Sequence, residues 1–166
     1  MTQDHAEEVR RMAYDQSPSM NSGFLIGHIN ANSLKQKIDS ISCLMKRNGF
    51  DVFAVSESLL KSIDEDSTIE LPGYNMIRFD RTDDGKKRVG GGLVCYLHKD
   101  VQYDRQTVTK KPGKNNTQYI AIHLISPVDL DLVVVYKPPG SSNIPQLEDL
   151  LKSLLSGRSL PDQYCS

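Results

Sequence analysis

The side chains able to carry chemistry in this chain are few and widely spread. Three cysteines stand at Cys43, Cys95 and Cys165. Their number is odd and no Cys-x-x-Cys pair occurs, so the spacing encodes neither a zinc site nor a dithiol redox centre. Cys43 and Cys95 lie among apolar residues and are expected to be buried, inert thiols. The histidines, His5, His28, His98 and His123, are equally scattered. Asn115-Asn116-Thr117 has the form of a glycosylation acceptor, but no secretory signal accompanies it. Gly90-Gly91-Gly92 precedes an apolar run rather than a helix, and no Gly-Lys-Ser/Thr follows. That makes it a poor phosphate loop. One carboxylate is better placed. Asp51 to Val55 is a short, almost wholly apolar run that leads into Ser56-Glu57-Ser58. Glu57 is thereby set where a strand covered on both faces ends.

Charge is uneven along the chain. Residues 37–70 hold seven acids and four bases, whereas residues 78–114 hold ten bases and five acids. The second stretch includes Gly85-Lys86-Lys87-Arg88 and Lys110-Lys111. It reads either as solvated loops or as a local positive surface facing phosphates.

The elements that must position these groups emerge from periodicity. Residues 1–22 are polar, lack a sustained period and are expected to form a disordered arm. Phe24 to Asn30 reads as a strand, and Ser33 as a cap for a helix carrying Leu34, Ile38, Ile41 and Met45. Asn48-Gly49 closes that helix. Strands are predicted at Asp51 to Val55, Tyr74 to Phe79 and Leu93 to Leu97, and a weaker one at Val101 to Val108. Thr82-Asp83-Asp84-Gly85 has hairpin-turn chemistry. Lys111-Pro112-Gly113-Lys114 reads as a loop. Further strands are predicted at Gln118 to Ile125, with Tyr119, Ala121, His123 and Ile125 on one face, and at Leu130 to Tyr136. Ile144-Pro145 opens a helix with Leu147, Leu150, Leu151, Leu154 and Leu155 on one broad side. The order is α+β, with helices outside a β-core. It is not the regular strand–helix alternation of a doubly wound nucleotide fold.

Composition sets outer limits. The chain has 166 residues, 38% hydrophobic and 25% charged, with a formal net charge of -1. A single domain with a loose end suits that length. The balance of charge excludes a strongly basic nucleic-acid coat and a highly acidic tail protein. The longest apolar run, Leu132 to Tyr136, is too short to cross a bilayer. The N-terminus has neither a basic start nor an apolar core, so an intracellular protein, nuclear or cytoplasmic and not secreted, is expected.

Several segments carry a resemblance when taken together. Asn30-Ala31-Asn32-Ser33-Leu34 and Phe53-Ala54-Val55-Ser56-Glu57-Ser58 resemble the first two motifs of the endonuclease/exonuclease/phosphatase superfamily. Leu71-Pro72-Gly73-Tyr74, Arg78-Phe79-Asp80-Arg81, Gly90-Gly91-Gly92-Leu93 and Val135-Tyr136-Lys137-Pro138-Pro139 narrow it. These are similar to the apurinic-endonuclease-like domain of non-LTR, LINE-type retrotransposons, which accompanies a reverse transcriptase. The resemblance runs from about Phe24 to Leu155 and rests on the order and spacing of motifs that are each weak alone. It implies a two-sheet β-sandwich flanked by helices that cuts phosphodiester bonds in DNA with Mg2+ or Mn2+. By resemblance, Glu57 is the metal ligand, Asn30 lies beside metal and phosphate, and Tyr136 hydrogen-bonds the scissile phosphate. Asn32 matches the second polar position of the first motif, and Arg81 falls in a loop near nucleic acid. These residue types suit the task. Magnesium takes hard oxygen ligands, often only one or two carboxylates. Asparagine and tyrosine orient a phosphate without adding negative charge.

The chain departs from that family in its later motifs. Relatives follow the equivalent of the Leu147 to Leu155 helix with a strand ending in Gly-Asp-x-Asn, and much later with Ser-Asp-His. Residues 156–166 contain neither, and none of the four histidines occupies the late position. The expectation is a partial sandwich: arm 1–22, the N-terminal part of the domain over 23–156, and an unstructured tail 157–166. It would bind metal weakly and would not cleave. A gene fragment or a decayed retroelement copy explains this most simply, while no added motif supports a domesticated protein with a non-catalytic role. The alternative function is a non-catalytic module that binds nucleic acid or protein, by self-association or by pairing with the missing half. A small-molecule phosphatase of the same superfamily fits the Leu-Pro-Gly-Tyr and Tyr-Lys-Pro-Pro stretches less well.

Overall fold

A computed structural model of the chain describes residues 23–80, 90–112, 117–139 and 152. The expected arm and tail, the hairpin turn at 82–85, Arg81 and the body of the leucine-bearing helix lie outside these residues. The fold is α+β and contains two β-sheets. Its elements are β1 (Ile26–Asn30), α1 (Ile38–Asn48), β2 (Val52–Ser56), β3 (Tyr74–Phe79), β4 (Leu93–His98), β5 (Gln102–Tyr103), β6 (Thr109–Pro112), β7 (Gln118–Ser126) and β8 (Leu130–Tyr136). A single 3-10 turn, Asp66–Thr68, interrupts the β2–β3 connection. No helix among the described residues is long and apolar enough to cross a membrane.

The first sheet has the order β1-β2-β4-β3. β1 and β2 are parallel, so they need a crossover, and α1 supplies it. β4 pairs antiparallel with both β2 and β3. In the second sheet β7 is central. β8 pairs with Gln118 to Leu124 of β7, and β6 and β5 pair in turn along the same stretch, so they share its opposite edge.

β2 shows why a run without polar alternation was needed there. All five of its residues are buried. Val52 and Ala54 face the second sheet, packing with Leu93, Cys95, Ile120, Ile122 and Leu124. Phe53 and Val55 face the helix side, packing with Leu34, Ile41, Met45 and Tyr96. Each such side chain contributes roughly 1.5–3 kcal/mol through burial. That makes β2 the shared wall of both cores and a rigid mount for Glu57 at its end.

Several details differ from the sequence reading. Ser33 does not cap α1. Its φ is 96°, its N–H is bonded to Glu57 O, and Leu34 N–H to Ser58 O, so this stretch is laced to the end of β2. The helix begins behind Lys37, without a side-chain cap, and closes at Gly49 with φ 64° as expected. Cys43 is exposed, because the buried stripe of α1 runs through Ile41 and Met45 and leaves Cys43 outside; Cys95 is buried as expected. The strand expected at Val101 to Val108 stops after Tyr103, where Asp104 accepts from the N–H of Gln106 and Thr107 and turns the chain. Pairing to β7 instead draws Thr109–Pro112, in part read as loop, into β6. On β7 the core takes Ile120, Ile122 and Leu124, so the face carrying Tyr119, Ala121, His123 and Ile125 turns away from it.

Buried tyrosines give the fold an alkaline limit. The Tyr96 hydroxyl donates to Ile69 O at 2.7 Å, and burial holds its pKa far above the ordinary value of 10. Burial also raises Tyr74, Tyr119 and Tyr136. Above about pH 10 the unfolded chain releases these protons while the folded chain keeps them. Stability from this source is therefore complete below that pH and lost as pH rises through the higher folded values. Urea midpoints should fall steadily from about pH 9.5 to 11, and a flat profile would contradict the burial.

Candidate active site

The site forms where strand ends meet. In the parallel β1–β2 pair, Asn30 stands opposite Ser56, and Ala31 N–H donates to Ser56 O at 2.8 Å. Glu57 is the next residue along the chain after β2 and is half-buried. Asn30 is exposed, and its Oδ1 accepts from Asn32 N–H at 3.2 Å, so the first polar residue fixes the second. Tyr136 ends β8 and is buried, 6% exposed. The sequence-expected residues Asn30, Asn32, Glu57 and Tyr136 thus gather at one end of the two sheets, while Arg81 is not among the described residues.

The Gly90–Gly92 turn, which leads into β4 of the first sheet, meets residues of both sheets at this point. A Cβ on Gly90 would lie 2.2 Å from Tyr136 Oη and 3.2 Å from Glu57 Oε1. Gly90, Gly91 and Gly92 have φ of 83°, 98° and 85°, a region side chains rarely adopt. Ser58 N–H donates to Gly92 O and Leu59 N–H to Gly91 O, both at 3.1 Å. The triple glycine, a poor phosphate loop by its sequence, is the piece that lets backbone approach Tyr136 and Glu57 together. Asn32, Ser33, Glu57 and Leu59 also have positive φ, between 43° and 96°. Such non-glycine conformations store roughly 1–3 kcal/mol each and cluster at functional sites.

Tyr136 and Glu57 are electrostatically linked. Burial pushes the phenol pKa up, and the Glu57 carboxylate raises it further, while the Gly91 N–H opposes the shift. The hydroxyl nonetheless lacks a hydrogen bond of full geometry and is the one buried side-chain polar atom, among the described residues, left without a partner. A neutral O–H beside a carboxylate is what a ligand oxygen would find here.

The residues can be tested against a divalent cation. Among the described residues no three of His, Cys, Asp and Glu are placed to hold a metal ion together. A zinc-like cage is therefore absent from them. A single carboxylate with neutral oxygen donors nearby fits magnesium or manganese, which keep several waters and accept one or two carboxylates.

Two residues to which the sequence reading gave no site role shape the surroundings. Gln118, 5% exposed at the start of β7, accepts from Gly92 N–H at 2.6 Å and donates to Asp80 O at 3.0 Å. Both of its partners are backbone atoms, so no side-chain pattern signalled it. Arg78, inside a motif of the resemblance, is committed to structure. It binds Asp80 at 2.7 Å and Asp66 at 2.6 Å and the carbonyls of Lys61 and Asp64, clamping the 61–66 connection to β3. Lys110 Nζ donates to Arg78 O at 3.0 Å. These two cations of the basic stretch are engaged within the fold, which favours the bland reading for them.

No family profile matches the chain, and no curated protein matches it. Among solved structures it is similar to the AP endonuclease LMAP from Leishmania major, with 14% identity and a TM-score of 0.49 over 78% of this chain and 43% of that one. It is also similar to an AP endonuclease from Archaeoglobus fulgidus, with 17% identity and a TM-score of 0.48 over 80% of this chain and 49% of that one. The chain thus spans less than half the length of either. At such low identity neither likeness carries over a residue role.

Proposed function

We propose that this chain is the metal- and phosphate-binding part of a LINE-type retroelement endonuclease domain, and that its residues alone do not cut DNA. The observation that carries the reading is the meeting of Glu57, Tyr136 and the Gly90–Gly92 turn beside Asn30 at one end of the sheets. Glu57 would hold Mg2+ or Mn2+, and Asn30 and Asn32 would orient a DNA phosphate. The neutral Tyr136 hydroxyl would donate to a phosphate oxygen, its raised pKa keeping the proton in place at neutral pH. When bound, the cation supplies neutralisation of phosphoryl charge. Arg81 would add a positive charge near the nucleic acid. His28 is held through Nε2 to Ser56 Oγ at 3.2 Å, and with Glu57 used as ligand we assign no group among the described residues to take a proton from water.

The experiment is calorimetric titration of Mg2+ and of Mn2+ into the wild type and into Glu57→Gln. Weak binding, with Kd on the order of millimolar as for low-charge oxygen sites, is expected for the wild type and none for the variant. Equal binding by both would place the cation elsewhere and end this reading.

A second reading, a non-catalytic interaction module, is favoured by one observation. Among the described residues β8 pairs only with β7, and Leu130 of β8 and Ile125 of β7 are 38% and 51% exposed. An open edge flanked by apolar side chains invites another strand. Sedimentation should show concentration-dependent association that Val133→Pro, which removes an N–H from β8, weakens. A monomer at all concentrations would count against this reading.

A further inference from the structure

We infer that Gln118 is a positioning residue for the Glu57–Tyr136 pair, acting through the Gly90–Gly92 turn. This deepens the cation-site reading and rests on it.

Gln118 touches neither Glu57 nor a proposed ligand. It stands opposite Tyr136 in the β7–β8 register, so it is fixed to the strand end that carries the phenol. Its side-chain oxygen accepts the Gly92 N–H at 2.6 Å, and its side-chain nitrogen donates to the carbonyl of Asp80 at 3.0 Å. One amide thus ties three pieces together: the end of β3, the glycine turn and the start of β7. The turn it holds then binds the residues after Glu57, through Ser58 N–H to Gly92 O and Leu59 N–H to Gly91 O. Moving Gly92 would carry Gly90 with it, and Gly90 has no room to spare against Tyr136 Oη and Glu57 Oε1.

The chemistry selects glutamine. The position is buried and offers one N–H and one C=O that must both be satisfied. A carboxamide is donor and acceptor at once, and its two partners fix which way it points. An ionised carboxylate would face the Asp80 carbonyl without a proton to give. An aliphatic side chain would leave both backbone groups unpaired. Groups bonded directly to a metal ligand commonly alter metal affinity by about 10–100-fold when changed, and Gln118, which reaches Glu57 through Gly92 and Ser58, should act at the lower end of that range.

The test uses the whole 166-residue chain and Mn2+ alone, with free Mn2+ counted by electron paramagnetic resonance. Gln118→Leu should weaken Mn2+ binding by about tenfold or more. Tyr96→Phe, which loses only the distant bond to Ile69 O, should lower the unfolding temperature but leave the affinity alone. Gln118→Glu should be intermediate and pH-dependent. Burial raises a carboxyl pKa, and only the protonated form can both accept from Gly92 and donate to Asp80. Its Mn2+ affinity should therefore increase as pH falls from about 8.5 to 6.5, a range over which an ordinary glutamate ligand stays ionised. If Glu57→Gln binds Mn2+ as well as the wild type, the cation-site reading fails and not this one. If Glu57→Gln loses binding while Gln118→Leu stays within about twofold of the wild type, the positioning role is overturned. Should Gln118→Leu not fold, the pH profile of Gln118→Glu decides, and a flat profile overturns the role.

Discussion

Replacing Gly92 by alanine should destabilise the protein by about 2–4 kcal/mol, combining positive-φ strain with overpacking. The residue has φ 85°, and a Cβ there would lie 2.3 Å from Ser58 Oγ and 3.3 Å from Leu59 N. Ser58 is 1% exposed, so its side chain has little freedom to retreat. Gly73 supplies the control. Its φ is 90°, but a Cβ there meets nothing within 4 Å. Gly73→Ala should therefore carry the backbone strain alone. Urea unfolding of the two variants separates the terms, and Gly92→Ala should exceed Gly73→Ala by roughly 1–3 kcal/mol. Equal losses would mean that the turn does not press on the residues after Glu57.

The largest effect expected is on cleavage. The 166-residue chain should leave supercoiled plasmid uncut in Mg2+ or Mn2+. Catalytic groups that act as a unit are strongly non-additive, and the loss of a key member lowers rates by roughly 10^4 to 10^6. The sequence holds no Gly-Asp-x-Asn and no Ser-Asp-His, and among the described residues Glu57 has no carboxylate or histidine cluster around it. Supplying a segment that carries those motifs in trans should restore nicking if the site is otherwise competent. Nicking by the chain alone, abolished by Glu57→Ala, would show that another group of this chain activates the water.

Much of the framework was legible in the residues. The unbroken apolar run before Glu57 announced a strand covered on both sides, and β2 is buried throughout. β3 and β8 run over the expected residues because glycine and proline mark where each of them begins or ends. The features that stayed hidden depend on tertiary partners. Ser33 looks like a helix cap in isolation, and only the pairing of its N–H with Glu57 O draws it into the strand-end loop. Asp104 breaks a predicted strand by capturing its neighbours' N–H groups, while β7 recruits Thr109–Pro112 against their loop-like composition. At the site, Glu57 could be placed from its position after β2. The meaning of Gly90-Gly91-Gly92 could not, because it lies in contacts with Tyr136 and Ser58, which are distant along the chain in either direction. Gln118 was hidden for the same reason, since both of its partners are backbone atoms that no side-chain pattern reports.

The most direct measurement is Mn2+-induced line broadening in the isotopically labelled chain. A second oxygen-rich surface makes it discriminating: the groove lined by Asp66, Glu70, Asn75 and Lys99 is the competing place for a cation. The account predicts that broadening centres on Asn30, Glu57, Gly90 to Gly92 and Tyr136, and that it disappears in Glu57→Gln. Broadening centred on Asp66 and Glu70, and unchanged in Glu57→Gln, would contradict it.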